Sequence, residues 1–223
     1  MTRPTTTSRR RKEKEDRKEA ILAAAREVFF EEGLRRATVD QIAARAEVAK
    51  GTVYLYFETR ETILAHILLE GLDELNRRLE AAYDEANAAS AETRLHRLAD
   101  AYLTFYHDQA DYFRLMMAFD RGHFQDVVSP ELYEAILHQS LHGLHWVVRA
   151  VEQGTQTGEL RAAHPQQTAG MIWAAINGVL VLMSHPLRRE LLGQEMAQLY
   201  NGVLTTMLDG IKNPKSQDPN PKG

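Results

Sequence analysis

The stretch Thr38–Arg60, TVDQIAARAEVAKGTVYLYFETR, holds the residues whose types and spacing best suit a binding chemistry. Thr38 followed three residues later by Gln41 is typical of a capping box, which begins a helix. Lys50-Gly51-Thr52 opens a second short helix after a tight turn. Two short helices joined in this way are typical of a helix-turn-helix, which places its second helix in the major groove of DNA.

The second helix of this motif is predicted to have a buried side and a binding side. Val53 and Phe57 are expected to face inward at helical spacing. The remaining positions carry cationic, hydroxyl and phenol groups that suit phosphates, and groups that suit base edges. The residues predicted to bind DNA are Thr38, Lys50, Gly51, Thr52, Tyr54, Leu55, Tyr56 and Arg60.

The run Ala-x-Val-x-Lys-Gly-Thr-x-Tyr-x-Tyr-Phe, from Ala46 to Phe57, resembles the tetracycline-repressor (TetR) family of bacterial regulators. Residues 17–70 carry the resemblance in motif, and the rest of the chain agrees in length and helical character. Two positions depart from the family's pattern. Glu47 stands where glycine is frequent, and Ala49 stands where serine or threonine usually caps the recognition helix, a cap worth about 1 kcal/mol.

Residue types and the resemblance together imply a role for each DNA-binding residue. The phosphate contacts are assigned to Thr38, Lys50, Tyr54, Tyr56 and Arg60. The Gly51 amide is expected close to the DNA backbone, while Thr52 and Leu55 touch base edges or thymine methyl groups. For Lys50, guanine is an alternative to phosphate, and for both tyrosines, packing against the neighbouring helix is an alternative to DNA.

Charge and composition favour a DNA-binding regulator over an enzyme. Residues 1–60 contain 14 Lys/Arg and 10 Asp/Glu, a net charge of +4. Since the whole chain has a net charge of −4, residues 61–223 have a net charge of −8. A basic end on an acidic body suits a protein that presents one pole to phosphates. Cysteine is absent, and no phosphate loop or nucleophile motif is present, so no enzyme activity and no cofactor are expected. Without an apolar run or signal sequence, a cytoplasmic protein that contacts no membrane is expected.

The periodicity predicts an all-α protein of about nine helices. The first domain is a three-helix helix-turn-helix domain, and the second is a helical effector-binding and dimerisation domain whose last helix spans 189–212. The predicted divisions are a disordered basic arm at 1–16, a DNA-binding domain at 17–76, a helical domain at 77–212 and a disordered tail at 213–223. The basic cluster Arg9–Lys12 in the arm either follows DNA phosphates or is simply solvated.

The last two predicted helices offer more apolar surface than one protomer's body is expected to cover. One short recognition helix buries too little surface for tight specific binding, so a homodimer reading two half-sites is expected. The TetR resemblance implies pairing of these helices in a four-helix bundle. The residues predicted for dimerisation are Met171, Ala175, Val179, Leu182, Leu199, Val203 and Met207.

A cluster rich in aromatic residues and methionine lies between the motif and these helices. It is either ordinary core or the lining of an apolar cavity, and the resemblance implies a cavity for a small-molecule effector, apolar or aromatic. The predicted lining residues are Tyr102, Phe105, Phe113, Met117, His145, Trp146, Arg149, Trp173 and Asn177. The prediction is a ligand-responsive repressor that an effector releases from a palindromic double-stranded DNA operator.

His138, His142 and His145 fall on one face of a predicted helix, which raises the alternative of a metal-responsive regulator. Three ligands on one straight helix span roughly 10 Å, at about 1.5 Å per residue, so a single ion does not reach all three. No metal is therefore predicted at this face. A DNA-binding protein that responds to no ligand is the other alternative.

Overall fold

A computed structural model describes residues 6–86, 88–121 and 127–214. Within these ranges the chain forms ten α-helices, which confirms the predicted all-α class. They are α1 (Thr6–Glu32), α2 (Val39–Arg45), α3 (Lys50–Tyr56), α4 (Arg60–Tyr83), α5 (Ala91–Asp108), α6 (Ala110–Arg121), α7 (Pro130–Gln156), α8 (Pro165–Met183), α9 (Pro186–Leu192) and α10 (Met196–Ile211). An antiparallel bridge pairs Leu160 with Lys212.

The chain divides into two compact units. The first comprises the described parts of Met1–Gly71 and Arg114–Ile136, and the second those of Leu72–Phe113 and Leu137–Gly223. The sequence places a boundary after residue 76, whereas this division falls after Gly71 and adds residues 114–136 to the first unit. The difference arises because α4, α6 and α7 each contribute residues to both units, and a continuous helix carries no linker signal in its sequence.

The core of the first unit is built from α1 to α4. Its buried side chains include Phe29, Val39 and Ile42, together with Val53 and Phe57, which the sequence predicts to face inward. α4 adds Ile63, Leu64 and Ile67. An ion pair between Arg26 and Glu70, 2.7 Å apart, links α1 to α4 beside this core.

α1 starts at Thr6, so the prediction that residues 1–16 are disordered is wrong from that residue on; residues 1–5 lie outside the described part. Arginine, lysine and glutamate are good helix formers, and Arg9 pairs with Glu13 one turn later at 2.8 Å. A solvated helix needs no apolar face when it continues a helix that is already anchored by its packing. Of the predicted disordered tail, only Asn213 and Pro214 lie within the described residues.

The second unit packs α8 against α10, with α5 beside α10. Its largest fully buried side chain is Tyr200, whose hydroxyl donates a hydrogen bond of 2.8 Å to the Ala99 carbonyl of α5. Burial raises the pKa of this phenol well above its ordinary value, so it remains a donor at any physiological pH. α10 is thus anchored to α5 by both packing and a directed hydrogen bond.

Proline and glycine set the helix boundaries of the C-terminal half. α7, α8 and α9 each begin at a proline, the residue best suited to the first helical position. The predicted single helix over 189–212 is instead two helices, because Gly193 adopts a left-handed conformation with φ of 57° and ends α9. This break accounts for ten helices where about nine are predicted.

No single helix among the described residues is long and apolar enough to cross a membrane. α8 and α9 meet that test of length and composition only when they are taken together, and they are bent by 106° at the break between them.

Candidate functional site

The helix-turn-helix begins with the capping box that the sequence predicts. The Thr38 hydroxyl accepts a hydrogen bond of 3.3 Å from the Gln41 amide, and the Gln41 side chain accepts one of 2.9 Å from the Thr38 amide. Both contacts satisfy backbone donors that the first turn of α2 leaves without a helical partner. Thr38 is exposed at the start of α2, although its hydroxyl is already used in this cap.

The turn between α2 and α3 explains the glycine preference at position 47. Glu47 has a φ of 52°, which is the left-handed region, and the Val48 amide then donates a 3.0 Å hydrogen bond to the Ala43 carbonyl. Such a conformation costs a residue with a Cβ about 1–2 kcal/mol relative to glycine. The departure from the family's pattern therefore affects local stability, and the turn geometry is retained.

α3 separates a buried side from an exposed side, as the sequence predicts. Val53 is fully buried, whereas Leu55 is 80% exposed and Tyr54 is 45% exposed. Thr52 and Tyr56 are half-buried, so part of each side chain packs within the unit. Ala49, as the N-cap, makes no side-chain cap bond, and a Cβ placed on Gly51 would meet open space. The protein's own interior therefore does not require glycine at position 51.

Lys50 lies at the first position of α3 and forms an exposed ion pair with Asp40 of α2, with 2.9 Å between Nζ and Oδ2. The hydrogen bond that Lys50 donates to Asp40, followed by the negative charge of Asp40, raises the pKa of Lys50. An exposed ion pair exchanges partners easily because solvent screens it. Lys50 is thus a cation that a phosphate or a guanine edge can take over.

Arg60 is positioned differently from the phosphate contact that the sequence predicts. Its side chain points to the loop before α2, where it donates hydrogen bonds to the Leu34 carbonyl and, at 3.0 Å, to the Ala37 carbonyl. Its guanidinium also lies 5.1 Å from the centre of the Phe29 ring. These contacts use the planar fork of donors that only arginine has. Arg60 holds the helix-turn-helix to the start of α4.

A second clamp, which the sequence reasoning missed, joins α1 to α2. Arg45 donates to Glu27 at 2.9 Å and to Glu31 at 2.7 Å. The hydrogen bond from Arg45 lowers the pKa of Glu31. The sequence signal for this clamp is a pair of glutamates four residues apart on α1, with a lone arginine on the neighbouring helix opposite them.

His66 of α4 lies edge-on against Phe57, with 5.4 Å between the ring centres. Burial and then the charge of Lys18 lower the pKa of His66 below its ordinary 6.5, against a smaller opposing effect of Glu70. The unfolded chain therefore binds this proton more readily than the folded chain does. The contribution of neutral His66 to stability is complete above about pH 6.5, the value in the unfolded chain, and is lost as the pH falls from there through the lowered pKa of the folded state.

We therefore predict that the stability of the protein falls between pH 7.5 and pH 5.5 in part through His66. In His66→Gln, the difference in urea midpoint between these two pH values should be smaller than in the wild type. The exposed His107→Gln variant is the control and should keep the wild-type difference. An unchanged difference in His66→Gln would contradict the assignment.

In the second unit the structure brings several predicted effector residues together. The Tyr102 hydroxyl donates to Asn177 Oδ1 at 2.9 Å, and the ring centres of Tyr102 and Phe113 are 6.2 Å apart. Phe105 is fully buried. The polar pair of Tyr102 and Asn177 therefore lies beside an aromatic side chain of α6, and its role in ligand binding stays a prediction.

Other predicted effector residues lie elsewhere. Trp173 is 43% exposed, His145 is exposed, and Arg149 pairs with Glu85 at 2.6 Å. Met117 is half-buried and belongs to the first unit. The position of Trp146 agrees better with the predicted lining, since Trp146 is buried and its ring centre lies 5.1 Å from that of Tyr83. Helical periodicity could not separate these positions, because apolar residues occur on more than one side of α7 and α8.

Buried polar residues of the second unit are absent from the sequence prediction. Asn76 is 5% exposed and donates to both the backbone and the side chain of Gln139, while its own oxygen accepts no protein hydrogen bond. Arg94 is 5% exposed, donates to the Tyr83 carbonyl and stacks over the Tyr83 ring. Both residues stand in the apolar phase of their helices, and this position is the sequence signal for their burial.

The predicted dimerisation residues fall into three groups by exposure. Met171 is 56% exposed and Leu182 is 40% exposed. Ala175, Leu199, Val203 and Met207 are half-buried. Val179 is buried in the protomer at 7% exposure, so its side chain serves the core instead of an outer face. The reason is its place on α8, one turn from the buried residues Ile176 and Met183.

The three histidines of α7 are all exposed. The rings of His142 and His145 approach Trp146, with centres 5.9 and 5.7 Å away. Among the described residues, no group of three or more histidine, cysteine, aspartate or glutamate side chains is placed to hold a metal ion.

A capped first helix, a tight turn and a second helix with one exposed side define a helix-turn-helix DNA-binding protein. Residues 21–67 match the family model for bacterial regulatory proteins of the tetR family. This match assigns residues 21–67 a DNA-binding domain similar to that of tetR-family regulators.

Relatives agree with this assignment over different lengths of the chain. The HTH-type transcriptional repressor DhaR of Mycobacterium sp. (strain GP1) is 26% identical over 182 residues, covering 80% of this chain and 87% of the relative. The fatty acid metabolism regulator protein of Bacillus subtilis (strain 168) is 38% identical over 72 residues, covering 32% of this chain and 37% of its own.

A solved structure shares the fold across both units. The transcriptional regulator FadR from Bacillus subtilis, in complex with stearoyl-CoA, superposes with a TM-score of 0.66 at 24% sequence identity. The match covers 86% of this chain and 98% of that one.

Proposed function

We propose that this protein is a ligand-responsive transcriptional repressor that binds a palindromic operator as a homodimer and leaves it when a largely apolar effector binds. The observation that carries the proposal is the exposed side of α3. Leu55 is 80% exposed near the end of a helix whose opposite side is fully buried, and Tyr54 beside it is 45% exposed. In the major groove, the Leu55 side chain makes an apolar contact with a thymine methyl group.

The DNA contacts in this proposal come from the residues that remain accessible. Lys50 and Tyr54 reach phosphates or base edges from the start and middle of α3, and Leu55 contacts bases. Gly51 allows close approach of the DNA backbone, which is consistent with the open space around it. Thr38 and Tyr56 contribute phosphate contacts beside their packing roles, and Thr52 contributes at the edge of the buried side.

Lys50 provides a direct prediction. Lys50→Ala should weaken operator binding and make its salt dependence shallower by about one phosphate contact per protomer. Asp40→Asn should strengthen binding, since it releases Lys50 from the 2.9 Å ion pair. Titrations of labelled duplex at several salt concentrations measure both quantities.

The control for Asp40→Asn is Glu58→Gln, which removes an exposed carboxylate just after α3. Equal gains in the two variants would mean that only net charge matters. A Lys50→Ala protein with wild-type affinity, salt slope and sequence preference would remove Lys50 from the interface.

Homodimerisation through α8 and α10 is supported by the outer side of α8. Met171 and Leu182 are exposed there at i and i+11, with the small residues Ala174 and Gly178 between them. Small residues allow a partner helix to approach closely, and large apolar side chains at both ends supply surface to bury. Half-buried Leu199, Val203 and Met207 on α10 extend the same apolar surface.

The effector class proposed is a long acyl chain with a polar head. Buried aromatic residues of the second unit suit the chain, and the Tyr102–Asn177 pair suits a polar group. The names of the two Bacillus subtilis matches point to the same class, one as a fatty acid metabolism regulator and one in complex with stearoyl-CoA. Differential affinity of the effector for two conformations of the protein would shift the population away from DNA.

Selection of bound sequences from a random duplex library tests the DNA-reading part. We expect a palindrome with half-sites about one helical turn, roughly 34–36 Å, apart. The selected duplex then serves as a probe for release by stearoyl-CoA, by aromatic compounds and by hydrophobic drugs. Absence of any enriched motif would overturn the regulator, whereas an enriched motif with no release by any compound would leave a DNA-binding protein that responds to no ligand.

A further inference from the structure

The first three turns of α1 have no apolar side chains to bury, yet three of their cations share one side of the helix. At 3.6 residues per turn, Arg10, Lys14 and Arg17 fall at i, i+4 and i+7, on one side of the helix. Glu15 and Asp16 fall on other sides, and Glu13, which borders the three cations, pairs with Arg9 at 2.8 Å.

The basic side continues the side of α1 that packs on the helix-turn-helix. Counting on from Arg17, the same stripe reaches Ile21, Ala24 and Val28, all of which are buried in the first unit. Arg10, Lys14 and Arg17 are exposed, because no part of the first unit's core extends that far. The three cations therefore lie on the side of α1 that packs on the helix-turn-helix. They lie past the end of its core, where no described side chain of the first unit covers them.

The contact between Lys18 and Phe57 fixes where this segment leaves the domain. The Lys18 ammonium lies 5.8 Å from the centre of the Phe57 ring, and Phe57 is the residue that ends the recognition helix α3. The extension Thr6–Arg17 thus begins beside the recognition helix. At about 1.5 Å per residue it reaches roughly 18 Å farther, the length of about five base pairs.

We propose that the extension Thr6–Arg17 is a second DNA-binding element, whose Arg10, Lys14 and Arg17 contact phosphates of the base pairs that flank each half-site. The inference rests on the proposed function, operator binding. Duplex DNA is the partner that fits, since it offers regularly spaced anions next to the groove that α3 enters. A preformed helix makes these contacts without the ordering cost that a disordered arm would have.

The test compares two double variants with equal loss of charge. Arg10→Ala/Lys14→Ala removes cations from the stripe, and Arg9→Ala/Lys12→Ala removes two from the opposite side of the same turns. Alanine is the best helix former, so both variants should keep α1 intact, which circular dichroism checks. Each is titrated, beside the wild type, with the selected operator carrying either no flanks or about five flanking base pairs on each side.

We expect flanks to strengthen wild-type and Arg9→Ala/Lys12→Ala binding about tenfold or more, and to leave Arg10→Ala/Lys14→Ala unchanged. On the flanked duplex, the stripe variant should also show a salt slope shallower by about two for each bound protomer. Equal behaviour of the two double variants, or a wild type indifferent to flanks, would overturn the inference while operator binding stands. A wild type that binds no selected duplex would overturn the proposed function itself.

Discussion

Met171→Glu is expected to convert the dimer to a monomer and to lower operator affinity by about 10²- to 10⁴-fold. Met171 is 56% exposed in the protomer, so a glutamate there is solvated in the monomer and costs the fold little. Across a two-fold interface on α8, the same change places two carboxylates in an apolar contact, and burying unpaired charge is prohibitive. In a dimer, binding to one half-site holds the second recognition helix at a high effective concentration near the other half-site. The monomer lacks this advantage, and the expected loss of affinity follows.

Analytical ultracentrifugation and operator titration measure the two effects. The control is Leu141→Glu on α7, an apolar residue of similar exposure, 52%, that is outside the proposed interface. This control should stay dimeric and keep wild-type affinity. A Met171→Glu protein that remains dimeric would place the interface elsewhere, and a monomer with undiminished affinity would remove the need for two half-sites.

The helix-turn-helix could be predicted nearly in full because its signals are local. The capping box at Thr38, the inward positions Val53 and Phe57 and the absent cap at Ala49 each depend on residues within one or two turns. The structure confirms these local predictions.

The predictions that failed concern contacts between distant residues. Arg60 resembles a solvent-facing cation by its place in the motif, but its partners lie at Leu34 and Ala37, 26 and 23 residues earlier. Val179 matches an outer apolar face as well as an inner one, because helical spacing shows which residues share a face and not what covers that face. For the same reason, the sequence did not show that Asn76 is buried.

The helical start of α1 shows a second kind of failure. Composition alone indicates disorder in residues 1–16, since so few apolar residues are present. Composition ignores that the next residues form an anchored helix, which removes the cost of nucleation for each added turn. A charged segment next to a packed helix should therefore be judged together with that helix.

Arg60→Ala is expected to destabilise the DNA-binding domain by about 2–4 kcal/mol and to weaken operator binding strongly under conditions where the rest of the protein stays folded. Hydrogen bonds to a charged donor contribute about 1.5–3 kcal/mol, and the stacking over Phe29 adds up to about 2 kcal/mol. Removal of the side chain also leaves the Leu34 and Ala37 carbonyls without this donor. Thermal unfolding followed by hydrogen exchange in α2 and α3 measures the effect and locates it.

Arg60→Lys separates this structural role from the phosphate contact that the sequence suggests. Lysine keeps the charge but cannot donate to two carbonyls from a planar group, so it should lose most of the stability and most of the DNA binding. A lysine variant that keeps both the stability and the DNA binding would show that Arg60 acts as a phosphate contact. The neighbouring Arg36→Ala, which removes an exposed hydrogen bond of 3.0 Å to the Glu32 carbonyl, is the control and should be nearly neutral.

The position of Arg60 also bears on how an effector signal would reach DNA. It is the first residue of α4, and it binds the loop that leads into the Thr38 cap of α2. Any tilt of α4 is therefore transmitted to α2 by two directed hydrogen bonds instead of being absorbed by a flexible loop. In Arg60→Ala the residual operator binding should respond less to effector than in the wild type, since the two helices are no longer held together. An effector response of wild-type size in that variant would show that the coupling takes another route.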